Sequence, residues 1–366
     1  MRTGKHIASR LIYCIGILVI ILVGCKQSKD ASQMTVGELE NAANKGNPQA
    51  QFRLGMLRLQ GSGNTAEKIA AVSCLQKAAE RGLREAQYHL ALCYFNGEGV
   101  PRNGLEALKW FRKAAEKGDA ASQFWLGRAY ETETVVTQDF KLAVVWYQQA
   151  ASQRNVDAQF RLGLCYLVGR GVPKDYSQAA KWFRLAADNG LPDAQTLIGE
   201  SYYWGHGNKQ DFTEAFKWFQ KAAGLGEVRA MIYLAFCYRD GTGTQSNRSL
   251  TVQWLRNAAD RWNLQAQYNL ALCYDTGFGV DKDLIESYKW ANLAAEHGYT
   301  NAGGICEVLK EEEKMTPDQI ATARGRADRF IKFNPFKPPA HQWPEVVDIH
   351  LFQKALEKKE HKDASL

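Results

Sequence analysis

The cysteines are the residues of this 366-residue chain whose chemistry and spacing first suggest a function. Thiols at regular spacing can bind a metal ion or form disulfide bonds. Four of the eight cysteines are separated by multiples of 36 residues: Cys93, Cys165, Cys237 and Cys273. Each therefore lies at one position of a repeated unit, about 10 Å from its equivalents and beyond disulfide reach, where we interpret it as a small buried apolar side chain. A Cys74–Cys93 disulfide is the alternative left open.

No other set of side chains has the spacing of a catalytic, metal or cofactor site. The chain contains no Ser-x-x-Lys, His-Glu-x-x-His or Cys-x-x-Cys motif and no nucleotide-binding loop. The segment 61–66 has the glycine spacing of a dinucleotide fingerprint, but it follows a predicted helix rather than a strand. The histidines beyond residue 25 are dispersed: His89, His206, His297, His341, His350 and His361. We therefore predict no catalytic residue, no metal and no small-molecule cofactor.

The N-terminus has the three parts of a bacterial export signal in the expected order. A basic start is followed by an apolar run over residues 11–23. At about 1.5 Å per residue this run is too short to cross a bilayer as a helix. It ends in Leu22-Val23-Gly24-Cys25, which resembles the lipobox of bacterial lipoproteins. The resemblance implies that Cys25 is acylated, with chains such as palmitate, and becomes the mature N-terminus.

The same segment predicts where the chain is located. We expect residues 1–24 to be a lipoprotein signal peptide and residues 25–34 to be a flexible polar tether. Lys26 follows the cysteine, whereas an aspartate there would resemble an inner-membrane retention signal. In a Gram-negative cell the prediction is an anchor in the outer membrane, at its periplasmic face or at the surface. An uncleaved signal anchor is the alternative.

The net charge gives no indication of a nucleic-acid partner. The chain carries +7, but Arg2, Lys5 and Arg10 lie in the predicted signal peptide. Without them 43 basic residues stand against 39 acidic ones, and the excess is scattered along the chain. A nucleic-acid-binding domain usually concentrates its positive charge on one face.

A repeat of 36 residues runs through most of the chain, and such periods indicate stacked helical units. An Ala or Ser followed by Gln recurs at this interval. Three residues after the Gln comes a Leu or Ile, and a Gly or Ala follows it directly. One Gln position holds Met231. The other aligned positions are Gln51, Gln87, Gln123, Gln159, Gln195, Gln267 and Gly303. A Trp recurs in the second half of the unit, followed by a pair of alanines.

The spacing within the unit predicts two helices, A and B, joined by a Gly-x-Gly turn. Glycine at the turn permits the positive φ that ends helix A. Helix B opens on an Asn or Asp that can accept a hydrogen bond from a free amide. We predict that Glu106, Gln178, Glu214 and Glu286 complete reciprocal capping boxes with these residues. Residues 131–136 replace the turn in the third unit, and Arg154 and Trp262 replace closing glycines.

This pattern closely resembles the Sel1-like repeat, a relative of the tetratricopeptide repeats. The resemblance covers roughly residues 36–304 in seven consecutive units. It implies an all-α, right-handed solenoid of seven 36-residue helix-turn-helix repeats in which helix A lines the concave side. Cysteine-rich members of the family carry paired cysteines that bridge the two helices of a unit. Each unit here has a single cysteine, so that feature is not carried over.

Terminal helices are expected to close the two ends of the array. We place the array at residues 35–304, beginning with a lone helix B. Residues 305–333 are predicted to form C-terminal capping helices, because Thr316–Gln319 is a capping box followed by an apolar stripe that includes Ile331. Residues 334–366 are expected to be a proline-containing linker followed by a helix and tail.

The variable positions of helix A are the candidate partner-binding residues. A solenoid keeps constant the positions that hold its stack, so its variable ones can face partners. Aromatic residues and Arg are common anchors of protein interfaces. The candidates are Arg53, His89, Trp125, Arg128, Arg161, Tyr203, Trp204, Tyr233 and Phe236. The alternative is that these aromatic residues only pack between units.

Three functions fit these observations. The first is a scaffold or adaptor at the cell envelope that binds partner proteins or peptides in the concave groove and is not an enzyme. The second is an envelope hydrolase, since some cysteine-rich relatives have been linked to β-lactam or peptidoglycan chemistry; the absence of a nucleophile–base pair disfavours it. The third is a surface protein that binds a host factor.

Overall fold

The computed structural model describes residue 31 and residues 34–61, 64–133 and 135–336. These residues form seventeen helices and no strand. The predicted signal peptide, Cys25, most of the tether and the chain beyond residue 336 lie outside the described residues. The helices divide into two compact units, residues 1–174 and residues 175–366.

Unit 1 contains a lone first helix and then three complete A–B pairs and one further helix A. Consecutive helices pack against each other throughout the unit. In chain order they are α1 (Val36–Asn44), α2 (Pro48–Gly61), α3 (Thr65–Glu80), α4 (Arg84–Asn96), α5 (Gly104–Glu116), α6 (Ala120–Glu131), α7 (Phe140–Ser152) and α8 (Val156–Val168).

Unit 2 begins with a helix B and ends with a helix that has no counterpart in the repeat. Its helices are α9 (Tyr176–Asp188), α10 (Pro192–Trp204), α11 (Phe212–Gly224), α12 (Val228–Asp240), α13 (Arg248–Ala259), α14 (Leu264–Thr276), α15 (Leu284–Glu296), α16 (Thr300–Glu311) and α17 (Pro317–Phe333). Even-numbered helices are A helices, and odd-numbered helices up to α15 are B helices.

The recurring Gln of helix A has a structural role that explains its regular spacing. Its side-chain Nε2 donates to the carbonyl of the second alanine in the helix B that precedes it, at 3.0–3.3 Å. Gln159, for example, bonds Ala151 in this way. Carbonyls in the last turn of a helix lack intrahelical partners. The Gln therefore gives one of them a second donor, beside the backbone amide of the turn such as that of Arg154 at Ala151, and joins its repeat to the one before it.

Small residues in helix A allow helix B to approach closely, as the sequence predicts. A Cβ added to Gly127 would lie 2.5 Å from the ring of Tyr147, and one added to Gly199 would lie 2.6 Å from the ring of Phe219. Both rings are completely buried. Because glycine has no side chain, one large aromatic ring can fill the space between the two helices of the repeat.

The two glycines of the turn have different roles. Gly97 adopts φ 74° at the end of α4, the left-handed conformation that glycine adopts without steric cost. Gly99 also has positive φ, but in addition its Cα faces the backbone of the preceding helix B, where an added Cβ would lie 2.4 Å from the Lys68 carbonyl oxygen. The same approach recurs at Gly171, Gly207, Gly243 and Gly279. The second glycine is therefore a contact between repeats.

The start of helix B corrects one prediction. The Asn or Asp caps are present, and Asn103, for example, accepts a hydrogen bond from the Glu106 amide at 3.1 Å. The reciprocal half of the capping box is not formed at Glu106, Gln178, Glu214 or Glu286. At Asn103, Asp211 and Asp283 the cap amide instead donates to the late Tyr carbonyl of helix A, as Asn103 does to Tyr94 at 2.8 Å. Because this donor is already satisfied, the Glu side chains bond elsewhere.

Arg154 and Trp262 keep the geometry of the glycines that they replace. Their φ angles are 64° and 63°, within the left-handed region. This conformation costs a non-glycine residue roughly 1–2 kcal/mol. Trp262 is buried, with its ring centroid 5.2 Å from that of Phe330, and its indole N–H donates to the Phe336 carbonyl. Packing against the C-terminal helix offsets the backbone strain at this residue.

The two ends of the repeat series differ. The lone α1 has the capping box of Thr35 with Glu38. At the other end the predicted boundary at residue 304 falls inside α16, which is the helix A of an incomplete eighth repeat. Helix α17 then packs on α15 through buried Ala323 and Ala327. Ile331, predicted on the same apolar stripe, is instead 41% exposed.

None of the described helices is both long enough and apolar enough to cross a membrane.

Candidate partner-binding surface

The candidate residues of unit 1 lie along successive A helices and are all partly exposed. Trp125 on α6 is packed among rings of its own and the preceding repeat: its centroid lies 4.8 Å from that of Phe95 and 5.7 Å from that of Phe111. His89 lies 5.5 Å from Phe52 in the same way, and burial lowers the pKa of its imidazole. These rings thus pack between repeats while keeping one side accessible.

Arg128 and Arg161 come together around a carboxylate that the sequence did not single out. Their guanidinium groups lie 3.9 Å and 3.7 Å from Glu131, the last residue of α6. The hydroxyl of the buried Tyr147 donates to the same carboxylate at 2.7 Å. Burial and the neighbouring Glu131 charge raise the pKa of Tyr147, so this residue stays a neutral donor. The two arginines are therefore positioned at one point of the helix A face.

In unit 2 the candidate aromatic residues form a continuous cluster. Tyr233 on α12 stacks on the buried Phe219, with ring centroids 4.5 Å apart. Tyr203 on α10 lies 5.9 Å from Tyr233 and 4.8 Å from Trp204. Trp204 is 38% exposed. Phe236 is held differently, with the guanidinium of Arg239 4.8 Å above its ring.

Beside these rings lies a charged group that we call the Glu200 cluster: Glu200 on α10, and Glu227 and Arg229 at the start of α12. Arg229 is 3.6 Å from Glu227 and 3.9 Å from Glu200. Glu200 is only 5% exposed. Burial raises the pKa of Glu200 despite the attraction of Arg229. Burial works against the charge of Arg229, but the two carboxylates together raise its pKa.

The sequence contained a signal for Glu200 that could have been used. Its position in the repeat is apolar in five of the other repeats: Met56, Leu92, Leu164, Phe236 and Leu272. Arg128 occupies this variable position in the third repeat and is one of the candidate residues for that reason. Glu227 and Arg229 carry no such signal, because their place next to Glu200 depends on how α10 and α12 pack.

The repeat cysteines are buried and chemically protected. All six cysteines among the described residues are free thiols, so the Cys74–Cys93 alternative is not formed. Burial raises the pKa of Cys93 and Cys273 to about 11, and of Cys165 and Cys237 to about 12. A nucleophilic cysteine needs the opposite shift, toward a thiolate near neutral pH. Within the described part of the chain no group of His, Cys, Asp and Glu could hold a metal ion.

The repeat pattern matches a known family in every unit. The family model described as Sel1 repeat matches residues 48–83, 84–119, 120–155, 156–191, 192–227, 228–261 and 264–299. The chain belongs to the Sel1 repeat family. It is an all-α solenoid of seven Sel1 repeats, as the sequence predicts. No curated protein matches the chain.

Two solved structures of Sel1-type proteins resemble this one. The first is c5321, described as a protective antigen present in uropathogenic Escherichia coli strains and displaying an SLR fold. It is 28% identical over 81% of this chain, with a TM-score of 0.72, and the match spans only 64% of that protein's chain. The second, a Sel1 repeat protein from Oxalobacter formigenes, is 31% identical over 78% of this chain and 83% of its own, with a TM-score of 0.62.

The A helices of these Sel1 repeats offer two kinds of group that can bind another macromolecule. In unit 1 and in unit 2 partly exposed aromatic rings of helix A pack on rings of the preceding repeat, and charged side chains lie on the same A helices. Such surfaces supply apolar contact area together with directional polar contacts, which is the usual composition of a protein interface.

Proposed function

We propose that this protein is a non-enzymatic scaffold or adaptor that binds partner proteins or peptides at the bacterial cell envelope through the exposed face of its A helices. The observation that carries the proposal is a contrast within helix A. The Ala or Ser, Gln, Leu or Ile, and Gly or Ala positions that recur at the start of helix A are buried and hold the stack, whereas Trp125, Tyr203, Trp204 and Tyr233 vary and stay partly exposed. Aromatic side chains of this kind supply a large share of binding energy in interfaces.

The state of the thiols favours binding over the alternative of an envelope hydrolase. The cysteines that recur in the repeats have raised pKa values and are buried, so at neutral pH they are protonated and inaccessible to a substrate. The described carboxylates mostly cap helices or form ion pairs. Turnover of a β-lactam or of peptidoglycan by the purified protein would contradict the proposal.

The binding surface can be tested by capture from the intact cell envelope. Crosslinking followed by mass spectrometry identifies what the parent protein holds, and the same experiment is then run on a Trp125→Ala, Tyr233→Ala double variant. We expect the double variant to lose the crosslinked partner. Phe333→Ala is a matched control, because Phe333 is 71% exposed but lies on α17, which is not one of the A helices. Equal capture by parent and double variant would show that the surface is wrong.

The envelope location rests on the N-terminal sequence and is tested separately. We propose that Cys25 carries the lipid anchor. Cells grown with an alkyne-bearing palmitate should incorporate the label at the peptide that begins with Cys25. Cys25→Ser should abolish the label and release the protein from the membrane fraction, because the anchoring energy comes from buried acyl methylenes, at about 0.8 kcal/mol each. Retention of the Cys25→Ser protein in the membrane would favour an uncleaved signal anchor.

A further inference from the structure

Side chains, as well as backbone, join each Gly-x-Gly turn to the helix B before it. The middle residue of the turn lies against a residue near the start of that helix, thirty residues earlier in the chain. One such pair is an ion pair, and three others place a cation or an imidazole on an aromatic ring. Measured from the charged group or the ring centroid, the pairs are Lys68 with Glu98 at 3.0 Å, Phe140 with Arg170 at 5.6 Å, Tyr176 with His206 at 5.0 Å and Arg248 with Phe278 at 5.1 Å.

Phe212, the first residue of α11, meets a different kind of residue in its turn. The equivalent position holds Thr242, which has neither a ring nor a charge and whose hydroxyl interacts with Tyr203. Phe212 is 38% exposed. Its ring therefore presents a surface to solvent at the place where four other turns put a charged or aromatic group.

The start of α7 shows which group fits on such a ring. Helix α7 opens with Asp139 and Phe140, and α11 opens with the same two residue types, Asp211 and Phe212. Both aspartates cap their helix by accepting a backbone amide, so a carboxylate lies next to the ring in each case. On Phe140 the chain places the guanidinium of Arg170. A guanidinium is attracted by the face of the ring and by the neighbouring negative charge.

A second exposed ring lies beside Phe212. Tyr203 meets both rings edge to face, with centroid distances of 5.3 Å to Phe212 and 4.8 Å to Trp204. Trp204 is also 38% exposed. Arg239 of the adjacent α12 is engaged elsewhere, because its guanidinium lies 2.7 Å from the Asp240 carboxylate and 4.8 Å from the centroid of the Phe236 ring. Two accessible aromatic side chains thus stand together next to a cap carboxylate.

We propose that Phe212 and Trp204 bind an arginine side chain of the partner protein. Its guanidinium stacks on Phe212 in the place that Arg170 takes on Phe140, and its alkyl chain lies against Trp204. This inference rests on the proposed function, because it assigns chemistry to one point of the binding surface. It also extends that surface from the A helices to the start of a helix B.

NMR titration with the peptide N-acetyl-Gly-Arg-Gly-amide tests the site, followed at the indole N–H signal of Trp204. That signal is identified by its loss in Trp204→Phe. The reference peptide carries citrulline in place of arginine, which keeps the planar end group but removes its charge. We expect the arginine peptide to shift the Trp204 signal in a saturable way, and the citrulline peptide to bind about threefold more weakly or worse.

Three variants locate the binding. Thr242→Arg supplies from within the chain the group that Arg170 supplies at Phe140, so it should leave the Trp204 signal unresponsive to the peptide without lowering the melting temperature. Phe212→Leu keeps an apolar side chain but removes the ring, and should weaken binding by about threefold or more. Phe278→Leu is the matched control: Arg248 already lies over that ring, so its loss should leave the affinity for the peptide unchanged.

The inference is overturned if the Trp204 signal responds equally to the two peptides or to neither, or if Thr242→Arg and Phe212→Leu respond as the parent does. Its failure can be told from failure of the proposed function by repeating the envelope crosslinking. A partner captured equally by the parent and by these two variants removes the arginine site and leaves the scaffold in place. Absence of any captured partner removes the proposed function itself.

Discussion

The Gln at the start of helix A recurs along the chain because its side chain makes the same hydrogen bond wherever it occurs. Its amide reaches back to a helix-terminal carbonyl of the preceding repeat, a donor–acceptor pair that no apolar residue can form. Met231 stands at this position in one repeat and is buried. That repeat lacks the side-chain hydrogen bond, which makes it a natural comparison for the repeats that have it.

Replacing Gln159 with Met should lower the free energy of unfolding by about 1 kcal/mol, because it removes one of the hydrogen bonds to the Ala151 carbonyl, which keeps the bond from the Arg154 amide. Met231→Leu is the control and should cost about 1 kcal/mol or less, since it conserves volume and removes no hydrogen bond. Urea unfolding followed by circular dichroism measures both. Equal losses would mean that the Gln contributes through packing only.

Arg154 and Trp262, the two left-handed residues that replace closing glycines, should respond oppositely to substitution by glycine. Arg154 is exposed, so Arg154→Gly should relieve strain and raise the free energy of unfolding by about 0.5–1 kcal/mol. Trp262→Gly should lower it by about 3 kcal/mol, because the buried ring and its contact with Phe330 are lost. Arg154→Ala keeps the strain and should change little. Thermal unfolding of the three variants tests the assignment.

The thiol of Cys237 should make stability depend on alkaline pH. Burial raises its pKa from 9.0 to about 12 in the folded protein. The folded state therefore keeps the proton more tightly, and the contribution of the thiol is fully present below pH 9 and is lost as the pH rises toward 12. The stability gap between the parent and Cys237→Ala, measured by urea unfolding, should shrink over that range. A gap that stays constant would show that the thiol does not titrate there.

At the scale of elements, most of the architecture follows from the sequence. The repeat period, the two helices per unit, the caps at the start of helix B and the small residues that admit its rings are all predicted from spacing alone. The prediction of reciprocal capping boxes is wrong because the backbone amides of Asn103, Asp211 and Asp283 donate to a carbonyl of helix A instead. The sequence pattern does not encode this contact across the turn. The strained Arg154 and Trp262 show that a turn can survive the loss of its glycine.

Helix α17 is held against α15 by two small buried residues, by the Phe330 ring and by the ion pairs of Arg326 with Glu286 and Asp283. Arg326 donates to Glu286 on α15 at 2.7 Å, and Ala323 is fully buried beneath the helix. Ala323→Arg should undock α17, because the added side chain has no space at the contact. We expect faster hydrogen exchange in α15 and α17. Ala321→Arg places the same residue on the exposed face and should leave exchange unchanged.

At the scale of the whole molecule, the binding surface was only partly predictable. Variable positions on helix A can be found by aligning the repeats, which identifies Trp125, Tyr233 and the arginines. How those residues are partnered depends on distances between neighbouring A helices. The pairing of Arg161 with Glu131, and of Arg229 with Glu200, therefore appears only in the structure, whereas Arg128 and Glu131 are three residues apart on α6.

The stability of the stacked repeats should be most sensitive to substitution of the second glycine of the Gly-x-Gly turn. Gly243→Ala would place a Cβ 2.1 Å from the Phe212 carbonyl oxygen, so strain and a backbone clash combine. We expect a loss of about 2–5 kcal/mol in the free energy of unfolding. Gly226→Ala has a positive φ but nothing within 4 Å, and should cost about 1 kcal/mol. Similar losses for the two, measured by guanidinium unfolding, would show that the close approach contributes little.

The contact made by that glycine also bears on how such a molecule can evolve. Gly99, Gly171, Gly207, Gly243 and Gly279 each contact the backbone of the helix just before their own repeat, whatever the side chains there are. Because the contact is between main-chain atoms, a duplicated or deleted unit meets an equivalent neighbour on either side. Genes for such proteins can therefore lengthen or shorten in steps of one unit without redesigning a junction, while the exposed positions of each copy are free to diverge toward new partners.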